Sequence, residues 1–290
     1  MICHPNAKIN LGLNITARRP DGYHDLETIF YPIPVCDTLQ VETLADTPAA
    51  IFPDGCVPHM STISDCTLFT AGIAIDCPPE KNLLVKTVQM LKQDFDLPHI
   101  YIYMYKQIPF GAGLGGGSAD AAFMAIILNR MFALGLSDEE LEHRVSAIGA
   151  DCAFFVRNRP VFATGIGNIF TPITLSLSGW YLVLIKPDIF VSTKEAYAKI
   201  RPRHPKESVT AIVQRPVETW RDTLVNDFEK GIFALHPEIA TIKDKLYECG
   251  ASYASMSGSG SSVFGLFRYE PNEAEIQELF RNYFCQQHKL

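Results

Sequence analysis

Five glycines fall between Gly111 and Gly117, and the chain then turns abruptly into an alanine-rich apolar stretch, Ser118-Ala119-Asp120-Ala121-Ala122-Phe123-Met124. Glycine lacks a Cβ and accepts positive φ, so such a run can turn successive backbone N–H groups inward. A helix starting where the run ends adds the positive end of its dipole. Loop and helix together suit a phosphate group. The flanking pattern predicts a strand over residues 100–105 feeding the loop and a helix over residues 119–133 behind it.

Two common phosphate loops fit poorly. A Walker A loop needs Lys-Ser/Thr directly after its last glycine, and here Ser118-Ala119 follows. Gly111, Gly113 and Gly116 satisfy G-x-G-x-x-G, but Lys106-Gln107-Ile108-Pro109-Phe110 separates the strand from the first glycine. No acidic residue stands between Ala121 and Ser137 to take a ribose hydroxyl, which weakens a dinucleotide-binding oxidoreductase. A purely structural glycine turn is the remaining bland alternative.

With 290 residues, 47% hydrophobic and 20% charged, the chain is long enough for two ordinary domains with ample core. Its net charge of −7 and the lack of a Lys/Arg cluster of five argue against nucleic acid or an anionic membrane as partner. The eight cysteines form no C-x-x-C pair and none stands at zinc-ligand spacing with a histidine, so reduced thiols and no protein-held metal are expected. The most apolar stretch, residues 119–136, is broken by Asp120, Asn129 and Arg130. The first eight residues lack the basic and apolar segments of a signal peptide, and a cytoplasmic protein is expected.

Residues 6–16 alternate apolar Ile9, Leu11, Leu13 and Ile15 with Lys8, Asn10, Gly12 and Asn14, which predicts a strand with one core face and one solvated polar face. Pro20-Asp21-Gly22 is a turn that displays Tyr23 and His24 just beyond it. Residues 35–43 predict another strand, and residues 45–66 an insertion or short hairpin without chemistry. Asn82 opens a helix reaching residue 94 as its N-cap, and Ser137 to Glu140 form a capping box for a helix ending near Gly149. Asp151 stands after that helix beside apolar Cys152, Ala153 and Phe154, as an N-cap or as a functional carboxylate. A hairpin turn at residues 164–167, a buried strand over 180–185, and a helix opened by Thr193 and carrying Tyr197 follow. Residues 224–235 and Pro237–Glu248 predict two helices, residues 250–262 a second glycine and serine loop, Val263–Phe267 a strand, and residues 271–285 an amphipathic closing helix.

The run Pro109-x-x-x-Gly113-Leu114-Gly115-Gly116-Gly117-Ser118-Ala119 resembles the phosphate loop of the GHMP kinases, the superfamily of galactokinase, homoserine kinase and mevalonate kinase. The segment Arg19-Pro20-Asp21-Gly22-Tyr23-His24-Asp25-Leu26-Glu27-Thr28 is similar to one branch of it, the 4-diphosphocytidyl-2-C-methyl-D-erythritol kinases. Lys8, the Gly149-Ala150-Asp151 segment and the second glycine loop match in order, so the resemblance covers nearly the whole chain outside residues 45–66.

That resemblance implies an α+β GHMP kinase fold, with an N-terminal domain like ribosomal protein S5 domain 2 (residues 1–158) and a ferredoxin-like C-terminal domain (residues 159–290). It implies Asp151 and Lys8 as the catalytic pair. ATP phosphates would meet Lys106, Pro109, Gly111, Ala112, Gly113, Leu114, Gly115, Gly116, Gly117, Ser118 and Ala119, with Asn82 lining the nucleotide pocket and Ser257, Gly258 and Gly260 closing over it. Asn10 and Thr193 would meet the substrate, and Tyr23, His24 and Tyr197 its cytosine. ATP and Mg²⁺ are the implied cofactors, a cytidine diphosphate-linked sugar alcohol the implied small-molecule substrate, and a monomer or weak homodimer the expected state. Another GHMP kinase acting on homoserine or mevalonate, and a catalytically silent nucleotide-binding protein, are the alternatives.

Overall fold

The computed structural model describes residues 1–44, 51–75 and 77–290. Its first strands are β1 (Ile2–Cys3), β2 (Asn6–Arg18), β3 (His24–Cys36), β4 (Thr38–Glu42), β5 (His59–Ile63), β6 (Cys66–Gly72) and β7 (Ile100–Lys106). Helix α1 (Leu83–Lys92) precedes β7, and α2 (Gly116–Met131), α3 (Asp138–Ser146) and α4 (Cys152–Arg157) follow it. Then come β8 (Val161–Thr164), β9 (Ile169–Pro172), β10 (Tyr181–Lys186), α5 (Thr193–Ala198), α6 (Val209–Ile212), α7 (Asp227–Leu235) and α8 (Pro237–Glu248). The chain closes with β11 (Tyr253–Met256), β12 (Val263–Phe267), α9 (Glu273–Leu279) and β13 (Phe284–Lys289).

The chain forms two compact units, and neither is one continuous segment. The first comprises residues 1–7, 35–110 and 115–158, the second residues 8–34, 111–114 and 159–290. The first unit is built on a five-stranded sheet in the order β1-β4-β7-β6-β5, with β6 and β7 parallel. Ile100, Ile102 and Met104 of β7 bury one face against Leu84, Val88 and Leu91 of α1 and Met124 and Leu128 of α2. The apolar alternation of β7 thus places the glycine run at its exit, over a packed core.

The second unit holds two four-stranded sheets, β2-β3-β8-β9 and β11-β12-β10-β13. Val183 and Ile185 of β10 share a core with Phe228 and Ile232 of α7, Ile239, Ile242 and Leu246 of α8, and Leu13 and Ile15 of β2. The predicted hairpin at residues 164–167 joins β8 to β9. Among the described residues no helix is long and apolar enough to cross a membrane.

Several sequence expectations need correction. The polar side of β2 is not solvated: Lys8, Asn10 and Asn14 are all buried. They tolerate burial because they are hydrogen-bonded, Asn14 Nδ2 to Glu27 Oε1 at 3.0 Å and Asn10 Nδ2 to Thr28 Oγ1 at 3.1 Å. The strand expected over 35–43 is interrupted at Asp37, whose carboxylate is taken up by β7 and its exit. Residues 250–262 are not all loop, since β11 occupies Tyr253–Met256. The closing helix stops at Leu279, and the chain returns as β13, antiparallel to β10. Phe284-Cys-Gln-Gln-His-Lys has little strand alternation of its own; backbone pairing to a buried neighbour supplies what the pattern lacks. Of the insertion at 45–66, residues 45–50 lie outside the described residues, and His59–Ile63 forms a hairpin with β6.

Candidate active site

In the first unit the site is built around the exit of β7. The Lys106 ammonium is 4% exposed and lies between two carboxylates, Asp37 and Asp120, the latter at 2.7 Å. The second oxygen of Asp37 accepts the Gln107 and Ile108 amides at 2.6 and 2.8 Å, so the first turn of backbone after the strand is fixed. Gly116 then passes close over this platform. A Cβ there would lie 2.8 Å from Ile108 Cγ2 and 3.1 Å from Lys106 Nζ.

Helix α2 begins at Gly116 with Gly115 as its N-cap, and no side chain caps it. The first-turn amides of residues 116–118 therefore have no acceptor within the helix, the arrangement that receives an anion. Ala119 is different: it is fully buried and its amide donates to the Gly115 carbonyl at 2.9 Å. The Ala119 amide is thus spent inside the helix, and the Lys106 ammonium is held by Asp37 and Asp120.

Asp151 is the N-cap residue of α4, half-buried, and its carboxylate caps no amide of that helix. The turn before it runs close to the start of α2, since a Cβ on Gly149 would lie 3.7 Å from Ser118 Oγ. Asn82 does cap its helix, accepting the Leu84 amide at 2.9 Å.

In the second unit, Lys8 Nζ donates to Asn10 Oδ1 at 2.6 Å and sits 4.5 Å from the centroid of Phe30. The Lys8 amide donates to the Leu114 carbonyl at 3.0 Å, which ties β2 to the first glycine loop. The second glycine loop meets both. Ser257 Oγ donates to the Gly113 carbonyl at 2.9 Å and accepts the Asn10 amide at 3.3 Å. Gly113 has φ of 72°, and a Cβ on it would lie 2.0 Å from the Ser257 carbonyl oxygen, so only glycine fits. A Cβ on Gly258 would lie 3.3 Å from the Gly113 Cα and carbonyl oxygen.

His24 and Tyr197, far apart in sequence, stack with centroids 4.8 Å apart and planes at 25°. Tyr23 is 61% exposed at the surface turn, outside this stack. Thr193 is exposed and is the first residue of α5; the cap is Ser192, whose hydroxyl accepts the Glu195 amide.

The GHMP kinases N terminal domain family matches residues 82–159, and the GHMP kinases C terminal family matches residues 208–285. A 4-diphosphocytidyl-2-C-methyl-D-erythritol kinase from Bacteroides fragilis is 53% identical over 290 residues, covering 100% of both chains. The chain belongs to this kinase family. A relative of the same name from Parabacteroides distasonis is 52% identical, again over 100% of both chains. The crystal structure of a 4-(cytidine 5'-diphospho)-2C-methyl-D-erythritol kinase matches with a TM-score of 0.79 and 29% identity, covering 99% of this chain and 98% of that one. The Methanococcus jannaschii mevalonate kinase, at a TM-score of 0.67 and 13% identity, shares the GHMP fold.

As a member of this family the kinase uses ATP, and its uncapped α2 terminus and close-packed glycines fit a triphosphate. Among the described residues no group of three or more His, Cys, Asp or Glu could hold a metal ion.

The buried charges of the kinase are unequal. Burial pulls the Lys106 ammonium down, but Asp120 and Asp37 together outweigh it and leave it above its usual value. Burial pushes the Asp120 carboxyl up, to about 7; Lys106 opposes that rise and Asp37 adds to it. Among the described residues Asp120 Oδ1 has no hydrogen-bond partner. The Cys152 thiol next to Asp151 is pushed up to about 11 by burial, against a hydrogen bond from Ser118 that lowers it, and is unreactive at neutral pH.

Sequence reasoning missed Asp37 and Asp120, which hold Lys106, and Thr28, which holds Asn10. Asp120 carried a signal, a lone carboxylate inside an alanine-rich apolar helix. Asp37 carried a weaker one, an acid in the middle of an alternating strand.

Proposed function

We propose that this kinase transfers the γ-phosphoryl group of ATP to the 2-hydroxyl of 4-diphosphocytidyl-2-C-methyl-D-erythritol, giving the 2-phosphate and ADP. The reaction would serve the non-mevalonate route to isoprenoid precursors, in the cytoplasm. The observation that carries the reading is the end-to-end likeness, 53% over both full chains, to a kinase of that name. The aromatic stack of His24 on Tyr197 supports a planar base as part of the substrate.

The triphosphate rests on the amides at the start of α2 and on the loop from Gly111 to Leu114, with Ser257, Gly258 and Gly260 closing over it. Mg²⁺ accompanying the nucleotide offsets phosphate charge. Asp151 accepts the proton of the 2-hydroxyl as that oxygen bonds to the γ-phosphorus. The bond from phosphorus to the bridging oxygen breaks, and ADP keeps its electron pair. Lys8, held by Asn10, stabilises the charge of the transferring group. Asn10 orients the methylerythritol end, and His24 and Tyr197, with Tyr23 at the rim, hold the cytosine.

The test is ADP release with ATP and Mg²⁺, offering the cytidine substrate, homoserine, mevalonate or no acceptor. Turnover with the cytidine substrate alone is expected. Turnover with homoserine or mevalonate in its place would overturn the assignment of His24 and Tyr197.

A further inference from the structure

The first turn of α7 and its cap carry three polar side chains that grip the backbone of the second unit. Asp227 Oδ2 accepts the Ile15 amide of β2 at 2.8 Å. Glu229 Oε1 accepts the Met256 amide at the end of β11 at 2.9 Å. Asn226, 3% exposed, donates through its one carboxamide nitrogen to the carbonyls of Met256 and Gly258, both at 2.8 Å. Its carboxamide oxygen accepts the Phe228 amide at 3.0 Å and caps the helix. Both donors and the acceptor of this side chain are therefore committed.

The two carbonyls that Asn226 holds flank Ser257, whose hydroxyl binds the Gly113 carbonyl and accepts the Asn10 amide. Asn226 also forms a backbone bridge with Leu13 on β2, the strand that carries Asn10. One side chain thus sets the height of the second glycine loop against the first. The contacts between them are close, 3.3 Å between the Gly258 Cβ position and Gly113, so a small rise of the loop would disturb both.

We propose that Asn226 is a positioning residue for the nucleotide, acting through the loop at residues 257–262 and not by contact with the phosphates. The inference rests on the reading of the two glycine loops as the phosphate site. It separates the two jobs of one side chain: the carboxamide oxygen serves the helix, and the nitrogen serves the site.

That separation gives the test. Asn226→Ser and Asn226→Asp both keep an oxygen that can cap α7, and both lose the two donors. Asn272→Ala is the control, because Asn272 caps α9 through the Ala274 and Glu275 amides and makes no hydrogen bond to either glycine loop. Affinity for the ATP analogue AMPPNP with Mg²⁺ is measured by calorimetry without acceptor, beside KM for each substrate and the melting temperature. Loss of two hydrogen bonds should weaken AMPPNP about tenfold in Asn226→Ser, and further in Asn226→Asp, with the acceptor KM within about twofold. The control should bind AMPPNP as the wild type does. AMPPNP affinity unchanged in Asn226→Ser, an equal loss for both substrates, or the same loss in the control would overturn the proposal. A wild-type protein that binds AMPPNP but does not phosphorylate the cytidine substrate would sink the proposed reaction and leave this test standing. A wild-type protein that binds no AMPPNP would overturn both.

Discussion

The imidazole of His24 lies on the ring of Tyr197, and Tyr197 in turn meets Phe228 edge-on, with centroids 4.9 Å apart and planes at 83°. At 4.8 Å the first two rings leave no room for a third between them. A base sandwiched by the pair must part them, whereas a base stacking on one outer face leaves the contact whole.

Replacing Tyr197 separates stacking from packing. Base stacking on an aromatic ring contributes about 1–3 kcal/mol, so Tyr197→Ala should raise the KM of the cytidine substrate roughly tenfold or more. Tyr197→Phe keeps the ring and the Phe228 contact, and its KM should stay close to wild type. Steady-state kinetics with varied acceptor decides it; an unchanged KM in the alanine variant removes Tyr197 from the cytosine site.

Asp151→Asn should bind both substrates and turn over about 10²–10⁴-fold more slowly, the usual share of a general base. Near-normal turnover in this variant would take Asp151 out of the mechanism.

Glycine 113 and glycine 117 make a matched pair within one loop. Gly113→Ala combines a left-handed backbone with a methyl 2.0 Å from a carbonyl oxygen, and should cost about 2 kcal/mol or more together with nucleotide affinity. At Gly117 the nearest atom to an added Cβ is Leu83 Cδ1 at 3.7 Å, and φ is not positive. Gly117→Ala should therefore fold as well as wild type. Urea denaturation of both variants checks the contrast.

The Lys106 cluster predicts a pH effect with a definite sign. In the unfolded chain Asp120 releases its proton near the ordinary carboxyl value of 3.8, whereas in the folded chain it holds it to about 7. Between those values the folded state binds more protons, so the contribution of Asp120 to stability is full at low pH and is lost as pH rises toward 7. Asp120→Asn removes this term, and the variant should gain on wild type as pH is raised from 5 to 7. Denaturation at several pH values measures the difference, and a flat difference refutes it. Lys106→Met, which leaves two buried carboxylates without their cation, should be destabilised by about 3–5 kcal/mol.

What could be read from the sequence was what short stretches encode. The turn at Asp21 and Gly22, the Asn82 cap, the Ser137 capping box and helix Pro237–Glu248 all stand where local chemistry puts them. The kinase family was legible because the wording of the first glycine loop and of the His24 segment is specific. The remainder depends on distant partners. Nothing beside Lys8 announces that its alternating polar face is buried on Asn10 and Thr28, and nothing beside Gly113 announces Ser257. Strand β13 is polar enough to pass for the end of a helix until β10 is there to pair with it.

The division of the chain has a consequence for synthesis. Strand β2 leaves the ribosome early, yet residues 8–34 belong to the unit completed by residues 159–290, and Leu13 takes its backbone partners from Val225 and Asn226. At typical elongation rates β2 waits about 10–40 s for them. During that interval an apolar strand bearing Ile9, Leu11, Leu13 and Ile15 has no finished core to enter. The segment that carries Lys8 and Asn10 is thus among the first to be made and among the last to be buried.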